Sequence, residues 1–196
     1  MTTADAHTAG DVEARLKQAD ALLDGHFQLT SGKHSNRYVQ CAQLLCRPAD
    51  AEAVCRALAE RFAGTQVDVV LGPALGGVIV AHEVARALGT PSFFAERKEG
   101  EMTIRRGFVL EKGMKVLVVE DVVTTGGSVK EVLQLVRDAG AEIVGVGSIV
   151  QRAASSPFEE RYESLLKVEA VAWDPSECPL CAEGTPAVKP GSRPGS

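Results

Sequence analysis

Two adjacent acids, Glu120 and Asp121, are followed at once by Val122, Val123, Thr124, Thr125, Gly126, Gly127 and Ser128. Side by side, two carboxylates repel a phosphate but accept hydrogen bonds from sugar hydroxyls or help to hold magnesium. The residues after them have the opposite taste. Gly126 and Gly127 let the backbone turn tightly and approach a ligand, so that successive amides converge on one concavity. A helix opening near Ser128 adds its free N–H groups and about half a positive charge. Thr124, Thr125 and Ser128 add hydroxyl donors. The segment therefore has an acid end suited to ribose hydroxyls and a donor end suited to a monophosphate.

Such a loop needs a rigid strand before it and a helix behind it. The apolar run 115–119 supplies the strand, and 128–139, closed by Gly140, supplies the helix. The same rhythm occurs upstream, with a strand at 67–71, a glycine-rich loop from Gly72 to Gly77, a helix at 78–88 ended by Gly89 and a strand at 92–95. A further strand is expected at 143–150, and one more at 168–173. Helices are expected at 11–23 and 48–62, with a polar turn, residues 30–35, between them. Strand, loop and helix in alternation predict an α/β fold with a mostly parallel central sheet flanked by helices. Ligands in such folds sit outside the carboxyl ends of the strands, where both glycine-rich loops fall.

The 196 residues fit a single domain, 1–196. Within it, 1–45 and 153–190 are expected to form an N-terminal hood and periphery, and 191–196 a tail, with looseness from Lys189 onward. Lysine and arginine total 21 against 26 acids, a net charge of −5, which removes the simplest electrostatic argument for nucleic-acid binding. No apolar run approaches the roughly 18 residues of a membrane span, and Met1 to Gly10 lacks a signal peptide's apolar stretch. A cytoplasmic protein without membrane or nucleic-acid partners is expected. Five cysteines in such a chain predict reduced thiols. Cys178 and Cys181 have metal-ligand spacing, but there is no second such pair, so they read as free thiols in a C-terminal turn. His34 reads as a surface histidine. A P-loop ATPase is excluded because no Gly-x-x-x-x-Gly-Lys-[Ser/Thr] occurs. A signalling receiver domain is disfavoured because its acids would open the domain rather than follow two strand–helix units.

Residues 116–128 resemble the phosphoribosyl pyrophosphate-binding motif of the type I phosphoribosyltransferases at all 13 positions: four apolar residues, two acids, two apolar residues, then Thr, Gly and Ser. The resemblance implies that family's fold, with a small hood. It implies phosphoribosyl pyrophosphate contacts from Glu120, Asp121, Val122, Val123, Thr124, Thr125, Gly126, Gly127 and Ser128. It casts 72–77 as the pyrophosphate loop, with Leu75 and Gly76 in contact, and a non-proline cis peptide is common there in the family. Many relatives carry lysine where this chain has Gly76. The charged stretch after 95 is similar to the family's closing loop, which casts Arg97 and Lys98, near Arg105 and Arg106, as catalytic cations beside Glu120 and Asp121; taken alone, the stretch reads as a solvated hairpin.

The orotate-using branch is resembled more widely, over roughly 11–152. Ser31, Gly32, Lys33, Ser35 and Tyr38 fit its N-terminal segment, although Thr30 stands where many members have lysine. Gln151-Arg152 stands where members often have Asp-Arg, and an arginine at a strand end can pair with a planar carboxylate such as that of orotate. Thr30, Tyr38, Thr124 and Arg152 are thus the implied orotate contacts. The implied reaction uses orotate and phosphoribosyl pyrophosphate, with Mg2+ carried mainly by the substrate rather than by a protein metal site, in a homodimer. A transferase for a purine or uracil, or a nucleotide-sensing regulator with the same fold, would share the central loop and differ at 30–38 and at Arg152.

Overall fold

The computed structural model describes residues 8–169 and 171–190. The chain opens with α1 (Ala9–Gln18), whose Thr8 and Asp11 form a reciprocal capping box. It continues through β1 (Leu22–Gln28), β2 (His34–Val39), α2 (Ala42–Leu45) and α3 (Pro48–Glu60). The α/β units follow: β3 (Val69–Pro73), α4 (Gly76–Leu88), β4 (Ser92–Lys98), β5 (Glu101–Ile104), β6 (Lys115–Val123), α5 (Gly127–Asp138), β7 (Glu142–Gln151) and β8 (Tyr162–Lys167). A two-residue strand β9 (Ala172–Trp173), a 3-10 turn (Pro175–Glu177) and α6 (Pro179–Ala182) complete it.

The main sheet has the order β5-β4-β3-β6-β7-β8, parallel except for β5. Alternation along its strands separates two cores. Val70, Leu117, Val119 and Ile149 pack with residues of α3 and α4, whereas Val69, Leu71, Val116, Val118 and Val146 pack with Val129, Val132, Leu133 and Val136 of α5. Val116 to Val119 are all buried, because both faces of the sheet are covered. The strand order reverses between β3 and β6, since β3 leads through α4 to β4 on one side while β6 lies on the other. Loops 72–77 and 120–128 leave the carboxyl ends of these two strands, so both flank the switch point.

The second sheet, β1-β2-β9, is small and antiparallel. Here the sequence expectations need correction. The helix expected at 11–23 ends at Gln18; Asp20 takes φ 54° and Leu22 and Leu23 open β1. Ala19 and Leu22 are buried, so the apolar spacing continues past the helix and imitates its period. The strand expected at 168–173 is reduced to Ala172–Trp173, and β8 before it was not anticipated: Leu165 and Leu166 are its only buried residues. His34, expected at the surface, is 8% exposed on β2. Cys178, expected in a free turn, is 3% exposed and lies with Cys181 against His26 and His34. None of the five cysteines is joined in a disulfide. Lys189 and Pro190, expected in a loose tail, line a pocket instead. Residues 191–196 lie outside the described residues.

Candidate active site

The acid end of the loop belongs to β6 itself, which runs on to Val123 because Glu120, Val122 and Val123 stay in register with Ser148, Val150 and Gln151 of β7. Glu120 accepts the Asp121 N–H at 3.1 Å through Oε1, and Asp121 Oδ1 accepts the Val122 N–H at 2.8 Å. Burial pushes the Glu120 carboxyl up to about 8, helped by the negative charge of Asp121 and a hydrogen bond between the two side chains. Such a pair calls for hydroxyl donors or a cation beside it. The approach of loop 72–77 decides where Asp121 sits: a Cβ at Gly76 would stand 2.5 Å from the Asp121 carboxylate, and one at Gly77 3.1 Å from Glu120 Oε1. At position 76 this chain uses the empty side of a glycine to seat Asp121. The peptide bond between Ala74 and Leu75 is cis, as the resemblance implies, and Leu75 is 85% exposed.

At the donor end, Gly126 takes φ 74° as the N-cap of α5, and a Cβ there would meet Phe158 at 2.7 Å. Thr124, Thr125, Gly127 and Ser128 are exposed. A cleft of about 260 Å³ is lined by Arg97, Glu120, residues 122–129 and Glu131. Strand, turn and helix N-terminus thus bring Glu120 and every residue from Val122 to Ser128 to one surface. The capacity of that surface is for an anion at the α5 N-terminus and hydroxyls toward Glu120.

The charged stretch after 95 forms a hairpin, β4–β5, whose two-residue turn, Glu99 and Gly100, has both φ values positive. Arg97 reaches the cleft, but its guanidinium makes a paired contact with Glu131 of α5 at 2.7 and 2.9 Å and also donates to the Gly100 carbonyl at 2.9 Å. Arg105 and Arg106 are tied to Glu96. Lys98 is exposed and lines neither this cleft nor the pocket described next. Leu75 and Gly76 also stay outside the lining. Glu131, which sequence reasoning missed, gives no signal beyond an ordinary helix-surface acid.

A second pocket, of about 250 Å³, is lined by Gln28, Leu29, Thr30, Ser31, Tyr38, Arg152, Lys189 and Pro190. Thr30, Tyr38 and Arg152 therefore come together as implied, whereas Thr124 stays in the first cleft. The Arg152 backbone N–H donates to the Val123 carbonyl at 2.8 Å, which joins the pocket to the end of β6. Its Nε is buried with no hydrogen-bond partner among the described residues, and burial lowers the guanidinium's pKa. A buried, unpartnered guanidinium edge is costly unless an acceptor arrives. Gln28, Leu29, Lys189 and Pro190 were missed; Val188 carries the last two there by exchanging backbone hydrogen bonds with the strand, its N–H to His26 O and its carbonyl to the Gln28 N–H, each 2.8 Å.

Among known proteins, residues 41–179 match the family described as Phosphoribosyl transferase domain. The orotate phosphoribosyltransferase of Pelotomaculum thermopropionicum is 54% identical over 187 residues, covering 95% of this chain and 98% of that protein. Its counterpart from Desulforamulus reducens is 55% identical over 174 residues, 88% of this chain and 91% of that one. Of the solved structures, the Mycobacterium tuberculosis H37Rv orotate phosphoribosyltransferase in complex with phosphoribosyl pyrophosphate is 26% identical, with TM-score 0.60 over 80% of this chain and 88% of that one. The Aeropyrum pernix orotate phosphoribosyltransferase, 24% identical with TM-score 0.67 over 81% and 93%, shares the fold.

Proposed function

We infer that this chain, which belongs to the phosphoribosyl transferase family, is an orotate phosphoribosyltransferase of pyrimidine (UMP) biosynthesis. Relatives of that name match it at more than half identity over about nine-tenths of its length. The observation that carries the reading at the level of residues is the junction of two sites. A cradle with an acid end and a phosphate end, 120–128, is bonded through Val123 to an arginine whose buried Nε has no partner among the described residues.

In the reaction the anomeric carbon loses its bond to pyrophosphate and gains one to N1 of orotate, giving orotidine 5′-monophosphate. Positive charge develops on the sugar as the bond breaks. Glu120 and Asp121 hold the ribose hydroxyls and face that charge. The amides of Val122 to Ser128, with the hydroxyls of Thr124, Thr125 and Ser128, hold the 5′-phosphate. Leu75 and Gly76 offer backbone to the pyrophosphate, and Arg152, with Thr30, Tyr38 and Thr124, takes the base. Magnesium enters with the diphosphate as part of the substrate; two adjacent carboxylates suit such a shared ion, which keeps most of its ligands from phosphate and water. Arg97 exchanges Glu131 for the leaving pyrophosphate, and Lys98 joins it from the hairpin. Fixed donors aimed at departing charge account for the larger part of such catalysis. The enzyme works as a cytoplasmic homodimer, without nucleic acid or membrane; no helix among the described residues is long and apolar enough to cross one.

The test is pyrophosphate release from phosphoribosyl pyrophosphate with orotate, uracil, adenine and hypoxanthine as rival acceptors. Orotate alone should support turnover. Equal or faster turnover with another base would overturn the assignment.

A further inference from the structure

The small sheet and the C-terminal segment meet at four side chains that the phosphoribosyl chemistry does not use. His26 lies on β1, His34 on β2, Cys178 at the end of the 3-10 turn and Cys181 in α6. One potential ligand atom from each lies within 4.8 Å of all the others. His26 Nε2 is 2.8 Å from His34 Nδ1 and 3.4 Å from Cys178 Sγ; Cys181 Sγ is 3.2 Å from His34 Nδ1 and 3.8 Å from His26 Nε2. Zinc bonds of about 2.0 Å to nitrogen and about 2.3 Å to sulfur give tetrahedron edges of about 3.3–3.8 Å, close to this spread. His26, His34 and Cys178 are buried.

The tautomer of His26 is set from outside the group. Its Nδ1 is 2.7 Å from the Thr185 carbonyl oxygen, which only accepts, so Nδ1 carries the hydrogen and Nε2 turns a lone pair inward. No carboxylate among the described residues joins the set, and two sulfurs with two imidazoles suit zinc rather than magnesium or calcium. The surrounding segment also needs a fastener. After Val168 the buried apolar residues among the described residues reduce to Cys178 alone, β9 pairs over two residues, and α6 has four. Elements this short do not hold themselves in place.

We propose that His26, His34, Cys178 and Cys181 bind one structural zinc(II) ion that staples the C-terminal segment to the small sheet. On binding, both thiols release their protons to solvent and become zinc thiolates. The consequence reaches the second pocket, because four residues beyond Thr185 the chain delivers Lys189 and Pro190 to the pocket shared with Thr30 and Arg152. That consequence rests on the orotate reading; the metal site does not.

The test uses the full chain, purified without metal-affinity steps. Elemental analysis should find about one zinc per chain. Cobalt(II) exchanged for zinc should give the strong visible bands and the thiolate charge-transfer absorption of a tetrahedral sulfur–nitrogen site. Thiol titration of the folded chain should show Cys178 and Cys181 protected, in addition to the buried Cys41 and Cys55, and exposed to reagent once a chelator is added. Cys178→Ser with Cys181→Ser should abolish the cobalt spectrum, while Cys46→Ser keeps it. A folded full chain that takes up neither zinc nor cobalt, with Cys181 as reactive as the exposed Cys46, would overturn the proposal even if the double variant fails to fold. Retention of zinc by a folded double variant would overturn it too. Zinc-stripped enzyme, returned to magnesium, should show orotate KM raised several-fold with KM for phosphoribosyl pyrophosphate unchanged. A bound zinc whose removal leaves orotate KM unmoved would sink the link to the pocket while the metal site stands.

Discussion

The phosphoribose cradle and the base pocket touch through one backbone hydrogen bond, Arg152 to Val123, yet they are assembled in opposite ways. The cradle is one continuous stretch, 120–128, set on a strand buried on both faces and ending in a helix N-terminus. The pocket is gathered from residues near 30, at 152 and near 189, held by a three-stranded sheet and a segment with little core of its own. A site made of one loop on a rigid sheet is positioned by local backbone conformation. A site made of distant segments depends on whatever fastens them. Variants in the first region should disturb the sugar diphosphate and catalysis, and variants in the second the base.

The largest separation is expected from Asp121→Asn. Asp121 is partly exposed, and its carboxylate is seated against the bare face of Gly76, which an amide of the same shape can occupy, so the change should leave the melting temperature near wild type. Loss of one charge-stabilising group should lower kcat about 100-fold. Wild-type turnover in this variant would remove the acid pair from the mechanism. Next comes Arg152→Ala, which should raise orotate KM by about tenfold or more while KM for phosphoribosyl pyrophosphate stays within about twofold. Equal losses for both substrates would erase the division between the regions.

Gly126→Ala sharpens the comparison from the cradle's side. The added methyl meets the Phe158 ring at 2.7 Å in a left-handed conformation, so about 2 kcal/mol of stability should be lost. That corresponds to a fall in Tm of about 5 °C, accompanied by a raised KM for phosphoribosyl pyrophosphate and little change for orotate. An unchanged Tm would show that the turn does not need glycine.

The last test is a pH dependence. The Glu120 carboxyl is pushed up to about 8 in the folded chain, against 4.5 for an ordinary glutamate. Between those values the unfolded chain gives up the proton and the folded chain keeps it. The contribution is therefore fully present below about pH 4.5, declines as pH rises, and is gone above about 8. Thermal melts across this range should show ligand-free wild type losing stability with pH relative to Glu120→Gln. Parallel curves for the two would mean that Glu120 ionises as an ordinary surface acid.

The same contrast explains what could be read from the sequence. Residues 116–128 were legible because strand, acid pair, glycines and helix start are contiguous, and each residue type announces its local job. The parallel sheet was legible from its buried Val and Ile runs. The antiparallel β5 and the edge strand β8 were not, since a strand with no fully buried residue, or with only an adjacent pair, leaves no periodic signal. In the small sheet, Ala19 and Leu22 continued a helical spacing past the turn at Asp20, which hid β1. Thr30, Tyr38 and Arg152 were found only through resemblance, and Lys189 and Pro190 not at all, because their convergence is made by the bridge of Val188 to Phe27. For the same reason His26 escaped notice and His34 was read as a surface histidine. Histidines eight residues apart are an unremarkable spacing until a hairpin turns them toward one another.

The central claim is that one cradle and one adjoining pocket hold the two halves of the product. A crystal structure of the chain with orotidine 5′-monophosphate tests it most directly. The account predicts the phosphate on the amides and hydroxyls of Thr124 to Ser128, the ribose hydroxyls on Glu120 and Asp121, and the base carboxylate on the Arg152 guanidinium. A nucleotide bound elsewhere, or one whose base lies away from Arg152, would contradict it.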